Sequence, residues 1–264
     1  MTVEESSWNK WKVMICTTLR SEMIIGVSSG PRILSYRHTG HENLLYQDTT
    51  NFKVGDWCIY GGHRFTTAPE NEESYFPDND SCRVEVTDAA LLITAPERSS
   101  GLQLSLLIRE TEDGEGFDIT HILNNHGESD WNGALWAVTC VPRSAQVMAG
   151  CSTSRIHFWP GTDPVNWQPQ EQQMTIKPGD FRGKAGWHQV PVSLKASQSG
   201  GTLLITHNEI SAPEECVDEG SNVEIFVCPD FIELETLSKK LIIPSRQSQH
   251  HRQQWKIFPP HTNL

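Results

Sequence analysis

The amino-acid sequence predicts an all-β protein. Three observations carry the prediction. Short segments rich in β-branched and aromatic residues follow one another along the whole chain, punctuated by Gly, Pro, Asn and Asp. Almost nothing sustains a helical period. The 19 glycines and 15 prolines supply turns.

In chain order the predicted strands begin with Lys12–Thr17, Met23–Val27 and Ile33–Arg37, the last two parted by Ser29-Gly30-Pro31. Arg83–Thr87 and Leu91–Thr94 follow, separated at Asp88. Leu102–Arg109 and Phe117–Asn124 flank Asp113-Gly114, a turn dipeptide. Then come Ala134–Val141, Arg155–Trp159, Gln173–Ile176 and Leu203–His207. Asn222–Val227 and Phe231–Leu237 sit on either side of Pro229-Asp230, and Gln254–Phe258 closes the series. Two long stretches read as irregular: Asp48 to about Asp80, and Asp163 to about Pro191. Long loops of this kind are usually functional or disordered. Their Trp57, His63, Arg64, Glu70, Trp167, Lys184, Trp187 and His188 favour function. The tail after Phe258, through Pro259, Pro260 and His261, is expected to be extended. No repeat or compositional shift marks a boundary, so residues 1–264 read as a single domain.

The net charge of -12 argues against nucleic-acid and anionic-membrane partners, because both need a basic surface. No apolar run is long enough for a bilayer. Met1-Thr2-Val3-Glu4-Glu5 lacks the features of a signal peptide, so a cytoplasmic location is expected. The seven cysteines are scattered and odd in number, which fits buried reduced thiols. The histidines show no zinc-ligand spacing, and His250-His251 reads as surface. No nucleophile elbow, phosphate loop or dinucleotide fingerprint occurs. No cofactor and no motif-borne metal site is expected, and metal binding by dispersed His and Glu residues stays open. The expected partner is a small molecule, and the chain a monomer or homodimer.

Two motifs carry candidate chemistry. Gly61-Gly62-His63-Arg64 through Pro69-Glu70 brings an imidazole, a guanidinium and a carboxylate together behind two glycines, and Tyr75-Phe76-Pro77-Asp78 follows. Adjacent strand residues face opposite ways, so one of His63 and Arg64 reaches a ligand directly. The second motif is Phe231-Ile232-Glu233-Leu234-Glu235-Thr236-Leu237. Alternation puts Glu233 and Glu235 on one face, with Ile232, Leu234 and Thr236 on the other. Two carboxylates entering one pocket would raise one pKa by mutual repulsion.

These motifs, with Arg32-Ile33-Leu34-Ser35, Asp118–Asn125, Ala134–Thr139 and Asn222–Phe226, resemble the galactose mutarotase-like, or aldose 1-epimerase-like, superfamily. The likeness covers most of the chain and is nearest to a bacterial branch with a Gly-Gly-His-Arg…Pro-Glu…Pro-Asp signature. The resemblance implies an antiparallel β-supersandwich with a sugar-sized cleft on a concave face. It also implies a mechanism, in which a glutamate takes the anomeric hydroxyl proton and a histidine protonates the ring oxygen. Glu235 matches the base. Trp136 stands where the family has its acid, and indole only donates a hydrogen bond. His63 or Lys184 is then the candidate acid. Arg64, Glu70, Glu233, Trp136 and Trp187 are candidate substrate contacts, the two indoles by stacking on a sugar ring. The sequence leaves three readings open: acid–base catalysis on a sugar or sugar-like ring, a non-catalytic carbohydrate-binding or sensing protein, and a lyase, isomerase or cyclase using the same pocket.

Overall fold

A computed structural model describes residues 1–9, 11–153 and 155–260. The strand alternation seen in the sequence builds two antiparallel sheets that share one apolar layer. Among the described residues the first sheet has eleven strands. Its order is Thr2–Trp8, Trp11–Thr17, Ser21–Gly26, Arg32–His38, His63–Ala68, Trp131–Pro142, Phe231–Leu237, Val223–Val227, Gly183–Trp187 and Ile156–Phe158. Leu241–Ile243 pairs with the start of Trp131–Pro142. Among the same residues the second sheet has ten strands, running Trp167–Gln170, Gln173–Ile176, Gln146–Gly150, Val192–Gln198, Gly201–His207, Gln247–Phe258, Gly116–Asn125, Leu102–Glu110, Leu91–Thr94 and Arg83–Val86. A small ribbon, Lys53–Val54 with Trp57–Cys58, stands apart. Helix is confined to four 3-10 turns among the described residues. None is long and apolar enough to cross a membrane. The architecture is the expected antiparallel β-sandwich.

The inner rows of both sheets form one cluster. Ile225, Ile232, Leu234 and Trp187 come from the first sheet; Leu104, Ile119, Ile205 and Trp255 come from the second. Each such side chain contributes roughly 1.5–3 kcal/mol by leaving water. The seven cysteines are free thiols, and all but Cys82 are buried.

The two stretches read as irregular need correcting. The first contains His63–Ala68, a central strand paired along its length with Trp131–Pro142. The second contains Trp167–Gln170 and Gly183–Trp187. In the first of these segments polar side chains mask the alternation, because both faces of the strand are packed. All six residues of His63–Ala68 are buried. Thr2–Trp8, Gln146–Gly150, Val192–Gln198 and Leu241–Ile243 are also strands beyond those expected. The last long strand starts at Gln247 rather than Gln254, through a polar run. That earlier start corrects the surface reading of His251, which points inward at 2% exposure while His250 stays outside. His261 lies outside the described residues.

The double glycine makes the central strand possible. Gly62 has φ +68°, and a Cβ there would stand 2.1 Å from the Ile33 carbonyl oxygen. Its own N–H donates to Tyr46 O at 2.7 Å, and its carbonyl accepts from Cys140 N–H at 2.8 Å. Gly62→Ala combines a left-handed backbone with a backbone clash. It should lower stability by about 2 kcal/mol or more and Tm by roughly 4–8 °C in differential scanning calorimetry. A Tm within a degree of wild type would contradict this account.

Candidate functional site

Two cross-strand rows on the outer face of the first sheet make the site. The first row runs Arg64, Val138, Glu235, Glu224 and Gly186, each paired to the next. The second runs Cys140, Glu233, Phe226 and Lys184. Period-two alternation in five adjacent strands brings these residues together across some 170 positions of sequence. Gly186 leaves space in the first row, since a Cβ there would meet Ser221 Oγ at 2.7 Å and the Trp159 ring at 2.9 Å.

Lys184 lies at the centre of the charge distribution. Its Nζ is 2.6 Å from Glu224 Oε2 and donates to Glu235 Oε2 at 3.0 Å. The side chains of both glutamates are fully buried, and that of Lys184 is 14% exposed. Trp136 Nε1–H donates to the same Glu235 Oε2 at 2.8 Å. The ammonium also sits over the Trp136 and Trp159 rings, 4.7 and 5.1 Å from their centroids. Burial alone would discharge the amine, but Glu235 and Glu224 outweigh it and raise its pKa. Burial likewise pushes Glu224 well above the usual carboxylate range, against the pull of Lys184. Glu235 Oε1 and Glu224 Oε1 are buried without hydrogen-bond partners.

In front of this cluster opens a cleft of about 530 Å³. Its wall is aromatic, with Tyr46, Trp57, Tyr75, Trp136, Trp159 and Phe231. Arg64 enters it at 8% exposure, its guanidinium carbon 5.1 Å from the Trp57 centroid and 5.7 Å from that of Trp136. Glu233 lines the cleft and accepts from the Cys140 thiol at 3.7 Å. Burial first, then the neighbouring Glu235, pushes the Glu233 carboxyl up to about 7, while Arg64 and Lys184 pull it back. Four carboxylates, Asp48, Glu70, Asp230 and Glu233, share the wall with three cations, Arg64, Arg182 and Lys184. That near balance suits a neutral polar ligand. A larger groove of 810 Å³ lies against Gln146–Gly150, but its lining has no aromatic ring and one carboxylate, Asp180. The aromatic cleft is the better candidate, because sites combine an apolar wall with a few convergent polar groups.

The structure sorts the residues picked out from sequence. Arg64, Glu70, Trp136, Lys184 and Glu233 line the cleft. Glu70 is an exposed rim residue that accepts from the Tyr75 hydroxyl, rather than pairing with Arg64. Glu235 shares their face but sits behind them, fully buried against Lys184 and Trp136. His63 and Trp187 are elsewhere. His63 points between the sheets, with Nε2 2.8 Å from His121 Nε2 and Nδ1 2.9 Å from Thr139 Oγ1. Trp187 belongs to the inner core and donates its indole N–H to Gly150 O at 2.7 Å. Strand parity decides both cases: each is an odd number of residues from the neighbour that faces the cleft. Asp78, at the end of the first motif, clamps the nearby loop through Arg98, with Nη2–Oδ2 at 2.5 Å.

Glu224, Asp218, Cys140 and Trp159 escaped notice in the sequence. Glu224 carried a usable signal, as the lone charge inside the apolar run Val223–Val227. Asp218, from a turn between strands, had none. It carries a raised pKa from burial, opposed by Lys184.

No family model matches the sequence, and no curated protein is similar to it. Solved structures are similar in shape. A TPR-domain containing protein from Parabacteroides distasonis matches with TM-score 0.68 and 13% identity, over 96% of this chain and 48% of that one. This chain therefore spans about half the length of that protein. A galactose mutarotase-like protein from Lactobacillus casei matches with TM-score 0.65 and 9% identity, over 93% of this chain and 100% of the other. One from Clostridium acetobutylicum matches with TM-score 0.60 and 10% identity, over 98% of each. The fold is galactose mutarotase-like.

Within this galactose mutarotase-like frame the buried charges make two testable demands. Lys184→Met leaves two buried carboxylates without a counter-charge and should cost about 3–5 kcal/mol in urea unfolding. Adding Glu224→Gln should recover part of that loss. A single variant within 1 kcal/mol of wild type, on the scale of an exposed pair, would refute the constraint. The second demand concerns pH. Glu233 is raised in the folded protein, so between about pH 4.5 and pH 7 the native state holds a proton that the unfolded chain releases. Its contribution to stability is present below the unfolded pKa and falls as pH rises through this window. Unfolding curves across the window should show wild type losing stability relative to Glu233→Gln. Parallel curves would remove the raised carboxyl.

Proposed function

We propose that this protein is an enzyme acting on a neutral sugar or sugar-like ring in the aromatic cleft. The observation that carries the reading is the position of Glu233. It lines the cleft together with Arg64 and Lys184, with a pKa raised to about 7. A proton carrier works best with a pKa near the operating pH. The aromatic rings supply a stacking surface for the apolar face of a ring, and Arg64 and Lys184 supply donors for hydroxyl oxygens. Mutarotation is the default chemistry, supported by the named likeness of the solved structures. Elimination, isomerisation or cyclisation would use the same proton carrier. The likeness of Gly61–Glu70 to one bacterial branch belongs with this proposal.

In this reading Glu235 reaches a ring only if Lys184 swings away, because its side chain is fully buried behind Lys184 and Trp136. Glu233 takes the proton, and Glu235 fixes the ammonium that faces the ring. The same ion pair supports a second reading, a carbohydrate-binding protein whose family base has become a clamp.

Anomer exchange of a panel of neutral aldoses, followed by NMR, separates these readings. Loss of a positioned proton carrier typically costs about 10²–10⁴-fold in rate. Glu233→Gln should lose that much with ligand affinity nearly unchanged. Glu235→Gln should impair both rate and affinity through a misplaced Lys184. A larger rate loss in Glu235→Gln than in Glu233→Gln, with affinity intact, would return the base to Glu235. Sugar binding with no exchange in any form would establish the binding protein.

A further inference from the structure

We propose that His207, Glu209 and His251 bind one divalent transition-metal ion of the zinc class, on the second sheet and separate from the aromatic cleft. One ligand-capable atom from each of the three lies within 4.8 Å of the others. His207 ends the strand Gly201–His207, and His251 lies on the neighbouring strand Gln247–Phe258. Glu209 follows two residues after His207, just past the strand end, with its side chain 28% exposed.

The hydrogen bonds present each imidazole as a ligand. His207 Nδ1–H donates to Arg252 O at 2.7 Å, which leaves the Nε2 lone pair directed at Glu209 Oε2, 3.6 Å away. His251 Nε2 hydrogen-bonds Thr236 Oγ1 at 2.6 Å, and the metal-binding tautomer carries its proton on this nitrogen. Gln253 Nε2 donates to the same hydroxyl at 2.7 Å and fixes it. His251 Nδ1 is thereby left free; it is buried and has no hydrogen-bond partner, in a residue 2% exposed. An imidazole held by a second hydrogen bond, with its other nitrogen open, is the usual form of a metal-binding histidine. The backbone N–H of Lys239 holds Glu209 at 3.2 Å. Two imidazoles and a carboxylate suit zinc and its neighbours. Tetrahedral zinc needs ligand atoms about 3.3 Å apart, so a set spread over as much as 4.8 Å has to close by up to roughly 1.5 Å, and the partly exposed Glu209 is the side chain freest to move. A cavity of about 550 Å³ meets the three residues and has room for a fourth, solvent ligand.

The test starts from chelator-treated protein titrated with Zn²⁺ in a calorimeter and with Co²⁺ in a spectrophotometer. One ion per chain is expected. Zn²⁺ at about 100 times Kd should raise Tm by roughly 5–10 °C. Glu209→Gln and His207→Gln should each weaken binding by about tenfold or more. His38→Gln should not, although His38 and His41 form a rival surface pair with rings 5.1 Å apart. If His207→Gln fails to fold, Glu209→Gln decides the matter, because that side chain is partly exposed. Absence of binding, unchanged affinity in Glu209→Gln, loss of affinity in His38→Gln, or a Co²⁺ spectrum with thiolate charge transfer would each overturn the assignment.

Discussion

The outer face of the first sheet depends on one ammonium. Glu224 and Glu235 are fully buried, and isolated carboxylates at such positions would be untenable without a counter-charge. Lys184 meets both. To do so it must come from the strand beyond Glu224, so the order Phe231–Leu237, Val223–Val227, Gly183–Trp187 is tied to the charge pattern. The ammonium also gathers the aromatic wall, since it lies over the Trp136 and Trp159 rings. Desolvation of three charges makes this arrangement a weak source of net stability. Its effect is specificity, because any slip in register would strand a buried charge.

Strand parity then assigns the remaining roles. His63 and Arg64 are neighbours, yet one enters the interior beside His121 and the other the aromatic cleft. Lys184 and Trp187 differ by three positions and part in the same way. Glu233 and Glu235 share a face, but they lie in different cross-strand rows. Glu233 is paired with Phe226 in the row that opens to the cleft, and Glu235 with Glu224 in the row behind it. Two residues along one strand thus separate a carboxyl near neutrality from one held in an ion pair.

Much of this was legible in the chain. The all-β class follows from the density of short apolar segments, and the shared face of Glu233 and Glu235 from simple alternation. The central strand His63–Ala68 was not legible, because a strand packed on both faces shows no polar–apolar contrast. Depth was also hidden. Alternation places Glu235 on the cleft side but does not say that Lys184 and Trp136 close over it. Asp218 was hidden because turns bring in residues without any period. The buried histidines were hidden for a related reason: His251 sits in a polar run whose inward face is recognised only once its partners, Thr236 and His207, are in place.

Trp136 links the resemblance to the geometry. At the position that the resemblance gives to an acid, the indole donates to Glu235. A histidine there could exchange a proton; an indole cannot at neutral pH. The carboxylate beside it gains a permanent donor and, with Lys184, a second one. On the proposed reading, a carboxylate already holding these two donors stays in its ion pair, so the indole goes with a changed role for the group beside it. On the proposed reading, proton transfer then falls to the nearest cleft carboxyl that burial and like charge keep near neutrality, and Glu233 is that group. The exchange of one side chain, His for Trp, would thus move the working carboxyl two residues along the same strand.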